Sequence, residues 1–395
     1  MLELFVDKNK DVKKIALVEN GKLVEIYEEV ENGNTNEGNI YIGIVKDIVK
    51  GMESAFVDIG TGKNSFIHFC DLIPKVDETK QINNKNNKTS IGKIIKPGDK
   101  ILVQVKKDCK DKKGARISKH INLPSKFIVL MPDTDIVTIS QKIEDKEEQQ
   151  RLINLVKGNI SKGNGAIIRT SAEGKNEEII QDIKKIEKKW NNIKKVVKEV
   201  KENKPTLIYK CEDIIEKMLI DMTENQIQKI TVNNNEEYLR IKKLISDKKE
   251  TENITICIKE ENILKTYDIE EQIEKCKNRK VWLKCGGYIA IDKTEALTAI
   301  DVNTGKFTGK DSIENTVFKV NEQATIEIAK QLRLRDIGGI IIIDYIDMKS
   351  EENKKKIEAK LKECLKNDRA KTQVEGFTKL DLMEMTRKHI YSHKI

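Results

Sequence analysis

Apolar and polar positions alternate with a different period in different parts of the chain. In the first ~35 residues, short apolar patches at 4–6, 15–18 and 23–26 are separated by polar stretches, with Asn20-Gly21 as a hairpin turn. Between residues 39 and 122 come five strand-like runs, at 40–49, 54–59, 65–69, 100–105 and 115–121, punctuated by Gly51, Gly60, Gly62, Gly98 and Gly114. Short strands with glycine between them predict a small barrel of the OB type. Residues 75–93 are polar throughout and read as a mobile loop inside that barrel.

A strand at 127–131 and an apolar run at 165–168 ending in Arg169-Thr170 follow. Ile179, Ile183, Ile186, Trp190, Ile193, Val197 and Val200 then recur at steps of three and four, the stripe of an amphipathic helix. Trp190 on such a stripe is core packing, and the Lys-rich remainder is a solvated face. Residues 211–280 mix helix and strand without a cluster of acids and read as structural. Further on, a helix runs from about residue 312 to 335, with Asp311 or Ser312 as N-cap and apolar positions at 313, 317, 320, 324, 328 and 332. Ile340 to Ile343, after Gly338-Gly339, is an unbroken β-branched run that predicts a strand buried on both faces, with Asp344 at its end.

At 395 residues the chain exceeds one ordinary core, so about two to four domains are expected. The net charge of +9 permits nucleic-acid binding, but it comes almost wholly from Lys, which makes each Arg more informative about its place. Seven cysteines without a C-x-x-C pair indicate reduced thiols and exclude a secreted disulfide scaffold. The start of the chain carries no targeting signal, and no run approaches a membrane span, so a soluble cytoplasmic protein with no membrane partner is expected.

Asp301 and Asp344 each end a strand-like segment, and Asn303 lies beside the first. Two carboxylates and a carboxamide make the oxygen-rich set that Mg²⁺ takes alongside substrate phosphates; the alternative is a pair of ordinary turn residues. Arg169 and Thr170 have the chemistry to grip a terminal phosphate, although a strand-end Arg more often meets solvent. Phe56 and Phe66, with Lys63, Lys112 and Lys113 nearby, suit base stacking beside a cationic track, or else fill the barrel core. Arg333 and Arg335 either complement a helix dipole or hold phosphates and buttress the acids. Lys306, Lys310, Lys379, Arg387 and Lys388 are phosphate-contact candidates.

Four segments, Glu295-Ala-Leu-Thr-Ala-Ile-Asp-Val-Asn-Thr-Gly305, Gln331-Leu-Arg-Leu-Arg-Asp336, Ile343-Asp-Tyr-Ile-Asp-Met348 and Thr378-Lys-Leu-Asp-Leu-Met-Glu-Met-Thr-Arg387, resemble the catalytic region of the ribonuclease E/G family. The resemblance implies an α+β multidomain chain. Its parts would be a ribonuclease-H-like domain (1–38 and 211–280) with an inserted OB-fold barrel (39–122) and 5′-phosphate sensor (123–210), then a DNase I-like catalytic domain (281–395). It further implies that Asp301 and Asp344 hold Mg²⁺, that Asn303 orients Asp301, and that Asp347 is at most a supporting residue. Phe56, Phe66 and Lys113 would contact RNA. Arg169 and Thr170 would bind a 5′-monophosphate, with Ser125 and Val129 as the nearest matches in the backbone part of that pocket.

The chain departs from the family pattern at Lys284-Cys285, where a Pro and a Ser are usual, and it ends before the family's zinc-binding segment and small C-terminal domain. His389 and His393 without a partnering Cys are a poor zinc site, so no structural zinc and a monomer or weak dimer are expected. The implied activity is Mg²⁺-dependent endonucleolytic cleavage of single-stranded, A/U-rich RNA, leaving 5′-phosphate and 3′-hydroxyl ends. The alternatives are an RNA-binding clamp or scaffold that keeps the fold without the activity, and a barrel that binds a protein or another polyanion.

Overall fold

The structure is a computed structural model that describes residues 1–30, 36–73, 90–108, 114–222, 227–246, 254–305, 313–366 and 368–390. It forms two compact units, Met1–Asn34 with Glu224–Ile395, and Thr35–Thr223.

The chain opens with an antiparallel meander, β1 (Leu2–Asn9), β2 (Val12–Glu19) and β3 (Lys22–Val30). Asn20 and Gly21 turn between β2 and β3 with φ of 49° and 76°, the positive values that a tight hairpin demands of both central residues.

The barrel follows in the second unit: β4 (Ile40–Val49), β5 (Ser54–Asp58), β6 (Ser65–His68), β7 (Lys100–Lys107) and β8 (Arg116–Ser118). The order is β4-β5-β6-β8-β7, and β7 pairs back onto β4, which closes the sheet. Gly114 allows β8 to approach β6, since a Cβ there would lie 1.8 Å from the Asn64 carbonyl oxygen. The core holds Val45, Ala55, Val57, Ile67, Val103 and Ile117. Residues 75–89 of the expected loop lie outside the described residues, and its end departs from the expectation, because Ile91–Ile94 is a short helix that buries Ile91 in the barrel core.

Next comes a four-stranded sheet of β9 (Leu123–Pro124), β10 (Ile128–Pro132), β11 (Val137–Ile139) and β12 (Asn164–Ile168). Helices Lys146–Asn159 and Glu177–Glu199 pack on it. Of the predicted stripe, Ile179, Ile183, Ile186, Trp190 and Ile193 form the buried face of the second helix, with Trp190 core at 4% exposure, while Val197 is half-buried and Val200 lies past the helix end. β13 (Thr206–Tyr209) returns to pair with β4, and the short helix Ile214–Asp221 ends the unit's described part.

In the first unit, β14 (Ile227–Val232) pairs in parallel with β1, and β15 (Thr255–Ile258) with β14, completing a five-stranded sheet. A six-stranded sheet follows, made of β16 (Lys280–Trp282), β17 (Tyr288–Lys293), β18 (Leu297–Asn303), β19 (Gly339–Asp344), β20 (Thr372–Phe377) and β21 (Leu382–Arg387). Its order is β16-β17-β18-β19-β21-β20, and only β18 and β19 run parallel. Parallel neighbours need a crossover, supplied here by the helix Ile313–Leu334. The expected N-cap at 311 or 312 lies outside the described residues.

That helix and Glu351–Leu365 cover one face of the sheet, burying Ile289, Ile300, Val302, Ile341 and Ile343 against Val320, Ala324, Ile328 and Leu361. The opposite face is open. The expectation that residues 340–343 are buried on both faces therefore fails: Ile340 is 51% exposed, because both helices lie on the other side.

The scarce arginines of this unit serve the fold. Arg387 is fully buried, with Nε donating to Asp368 Oδ2 at 2.7 Å and Nη1 to Asp336 Oδ1 at 2.7 Å and the Ile337 carbonyl at 2.8 Å. It cannot touch a phosphate, which corrects the sequence reading. Arg333 and Arg369 both pair with the buried Glu25, and Arg335 bonds Gln331 and the Asn278 carbonyl. Among the described residues no helix is long and apolar enough to cross a membrane, and the six described cysteines are free.

Candidate active site

On β18 and β19, Asp301 and Asp344 are register partners, side by side at the ends of parallel strands on the open face. Both are exposed. Asn303 Nδ2 donates to Asp301 Oδ2 at 2.7 Å, which fixes that carboxylate and leaves Oδ1 free of this bond. Partial burial pushes the Asp344 carboxyl above its ordinary range, and the neighbouring charges of Asp301 and Asp347 push it further.

The chain beyond Asp344 is tied to the crossover helix. The fully buried Asn321 donates to the Ile346 carbonyl at 2.8 Å and accepts from the Ile346 N–H at 3.1 Å. The Tyr345 hydroxyl meets the Thr325 hydroxyl at 2.9 Å. Among the described residues no group of three or more His, Cys, Asp or Glu gathers as a metal cage. Two carboxylates fit a hard cation that keeps several waters and binds partly through substrate phosphate, as Mg²⁺ does.

On the barrel, Phe56 of β5 and Phe66 of β6 are register partners, with ring centroids 6.2 Å apart at 66°. Phe56 is 38% exposed and Phe66 half-buried, and neither belongs to the barrel core. Lys63 is exposed nearby in sequence.

In the second unit's four-stranded sheet, Arg169 follows β12. Its Nη1 donates to the Ser125 carbonyl at 2.8 Å and its Nη2 to Asp221 Oδ1 at 2.6 Å. The Thr170 and Ser140 hydroxyls lie 3.1 Å apart. Ser125 and the Phe127 N–H both bond the carboxylate of Asp182, at 2.5 and 2.9 Å. Val129 sits within β10, opposite Pro124 and Ile167.

The sequence profile of the Ribonuclease E/G family matches residues 122–390, more than half of the chain. The chain belongs to the ribonuclease E/G family. An S1 RNA binding domain profile matches residues 34–120, the span of the closed barrel. Ribonuclease G of Salmonella typhimurium is 36% identical over 98% of this chain and 79% of its own length. Ribonuclease G of Haemophilus influenzae is 38% identical with the same coverage. Ribonuclease E of Nostoc is 34% identical over 95% of this chain and 56% of its own.

In this ribonuclease E/G chain the structure brings together Asp301, Asn303 and Asp344, pairs Phe56 with Phe66, and sets Arg169 beside Ser125. Lys112, Lys113, Lys306, Lys310 and His393 lie outside the described residues; Lys379 and Lys388 are exposed. Sequence reasoning missed Asp182, Ser140 and Asp221. Asp182 left a trace, a carboxylate three residues after Ile179 and one before Ile183, on the buried face of its helix. Asp221 left none, since it ends a short helix in a stretch that read as structural.

Proposed function

We propose that the chain is an endoribonuclease that hydrolyses phosphodiester bonds of single-stranded, A/U-rich RNA in RNA processing and decay. Asp301 and Asp344 would hold Mg²⁺, and the products would carry 5′-phosphate and 3′-hydroxyl ends. The observation that carries this reading is the side-by-side register of the two carboxylates on an open sheet face, with the Asn303 amide on one of them. A bound Mg²⁺ supplies a Lewis acid for the phosphoryl oxygen and acidifies water. Asn303 engages one Asp301 oxygen, and the other would be available to hold the ion. Asp344 must be ionised to bind, and burial with the neighbouring acids raises its pKa.

Phe56 and Phe66 offer ring surface to bases, worth roughly 1 to 3 kcal/mol per base, with Lys113 as a cationic companion. Arg169 and Thr170 would take a 5′-monophosphate, and Asp221 occupies part of the same guanidinium. In this reading the five-stranded sheet belongs to a ribonuclease-H-like domain and the six-stranded sheet to a DNase I-like domain, as the family resemblance implies.

The test is cleavage of a short A/U-rich RNA with Mg²⁺ by wild type and Asp301→Asn, with 5′-monophosphate and 5′-hydroxyl ends compared. Cutting by wild type alone supports the site. Cutting by Asp301→Asn at near the wild-type rate would sink it. RNA binding without cutting by either protein would instead support the clamp.

A further inference from the structure

Beyond the carboxylates, the open face of the six-stranded sheet becomes aromatic. Asp344 faces Asp301 across β19 and β18, Asn303 faces Tyr288 on β17, and Tyr288 faces Trp282 on β16. Register partners share a face, and so do residues two apart on one strand. Asp344, Asp301, Asn303, Tyr288 and Trp282 therefore project from the side that the helices leave uncovered. Burial agrees, because the intervening Val281, Ile289, Ile300 and Val302 pack into the helix-covered core.

Trp282 is 63% exposed, and its ring meets that of Tyr288 edge-on, with centroids 5.3 Å apart at 62°. Lys280 Nζ lies 4.5 Å from the Tyr288 ring centroid. The indole is thus braced at its edge with a cation close by, the pairing of stacking platform and positive charge that suits single-stranded nucleic acid. Two interstrand spacings, about 10 Å, separate β16 from β18. A base stacked on Trp282 is then a near neighbour of any phosphate held at Asp301 and Asp344.

We propose that Trp282 and Tyr288, with Lys280, form a base-stacking subsite for a nucleotide adjoining the scissile phosphate of single-stranded RNA. The proposal rests on Asp301 and Asp344 being the cleavage centre. Continuity with the carboxylate row and the ammonium of Lys280 favour RNA over a protein partner. Stacking tolerates any base, so the subsite sets position along the strand and not sequence.

The chain has two tryptophans, and Trp190 is 4% exposed, so Trp282 dominates any fluorescence response to a ligand. Titration with a short single-stranded RNA in the absence of Mg²⁺ is expected to quench wild type. Trp282→Ala should show no such quench and about ten-fold weaker binding, while Trp282→Phe keeps most of the affinity. Scanning an abasic nucleotide along the RNA should weaken wild type at one position near the cleavage point and leave Trp282→Ala indifferent there.

RNA binding without quenching, or Trp282→Ala within about two-fold of wild type, overturns the subsite. So does a Trp282→Ala variant that changes only self-association in sedimentation. Asp301→Asn separates the two claims. If it still cuts while the quench and abasic pattern hold, the cleavage centre is wrong and the stacking site stands. If it is inert and wild type shows no quench, the stacking site alone fails.

Discussion

Replacing Arg387 with Met tests how the strand that carries Asp344 is anchored. The substitution keeps the length of the side chain and deletes a guanidinium that neutralises Asp336 and Asp368, whose side chains are 6% and 1% exposed. Removing one partner of a buried pair leaves an uncompensated charge and costs about 3 to 5 kcal/mol. Asp336 gives a separate figure. Burial alone would raise its carboxyl, but the His389 contact and Arg387 bring it down from 3.8 to about 2. At about 1.36 kcal/mol per pKa unit that is about 2.5 kcal/mol for this one group, net of burial and shared among His389, Arg387 and the Ile390 N–H.

The sign follows from linkage. A depressed folded-state pKa gives stability that is fully present above 3.8 and lost as pH falls through about 2. In Arg387→Met burial dominates instead, so the variant prefers protonated acids and recovers on mild acidification. Urea unfolding at pH 7 should show a loss of about 3 kcal/mol or more, shrinking toward pH 4. A loss under about 1 kcal/mol, or one that does not change between the two pH values, would refute the reasoning. Arg387→Lys should recover only part of the loss, because an ammonium cannot reproduce the fork that reaches both acids and the Ile337 carbonyl.

Phe56→Ala and Phe66→Ala should each weaken RNA binding by about 1 to 3 kcal/mol in a filter or anisotropy assay, with the thermal transition little changed; unaltered affinity would remove the barrel from RNA recognition. Asp221→Asn frees the Arg169 guanidinium of a competing carboxylate and should increase the preference for 5′-monophosphate over 5′-hydroxyl RNA, whereas Arg169→Gln should abolish it. A lower preference in Asp221→Asn would show that the acid positions the arginine. Because the carboxyl of Asp344 sits above its ordinary range, Mg²⁺ affinity measured by calorimetry should begin to fall at a higher pH than for an isolated aspartate pair; Asp344→Asn removes that dependence.

The chain's local signals located its elements better than its faces. Glycine-spaced strands announced the barrel, and the three-and-four stripe placed Trp190 in a core, because both patterns record burial along a single element. The run at 340–343 misled because four β-branched residues look alike whether one face or two are covered; only the placement of both helices on one side decides it. Arg387 misled because a charged residue at a strand end ordinarily meets solvent, and its two acids lie about 20 and 50 positions away, at Asp368 and Asp336. Asp301, Asn303 and Asp344 were legible as strand ends, but their alignment with Tyr288 and Trp282 depends on cross-strand register. The Arg169–Asp221 pair was invisible for the same reason, since it joins a strand end to the end of a later helix.

Like charges on adjacent strands also bear on the folding energetics of the protein. The repulsion between Asp301 and Asp344 is present in the folded chain and largely absent in the unfolded one, so the metal-free protein carries a penalty where these two strands meet. Replacing either acid with Asn should raise the melting temperature of the metal-free chain and remove any further rise on adding Mg²⁺. Where Mg²⁺ binds the native state alone, it stabilises the sheet by mass action, by RT ln(1 + [L]/Kd). Mg²⁺ bound there would then act as a folding partner of this sheet, and chelation would loosen the strands that carry Asp301 and Asp344.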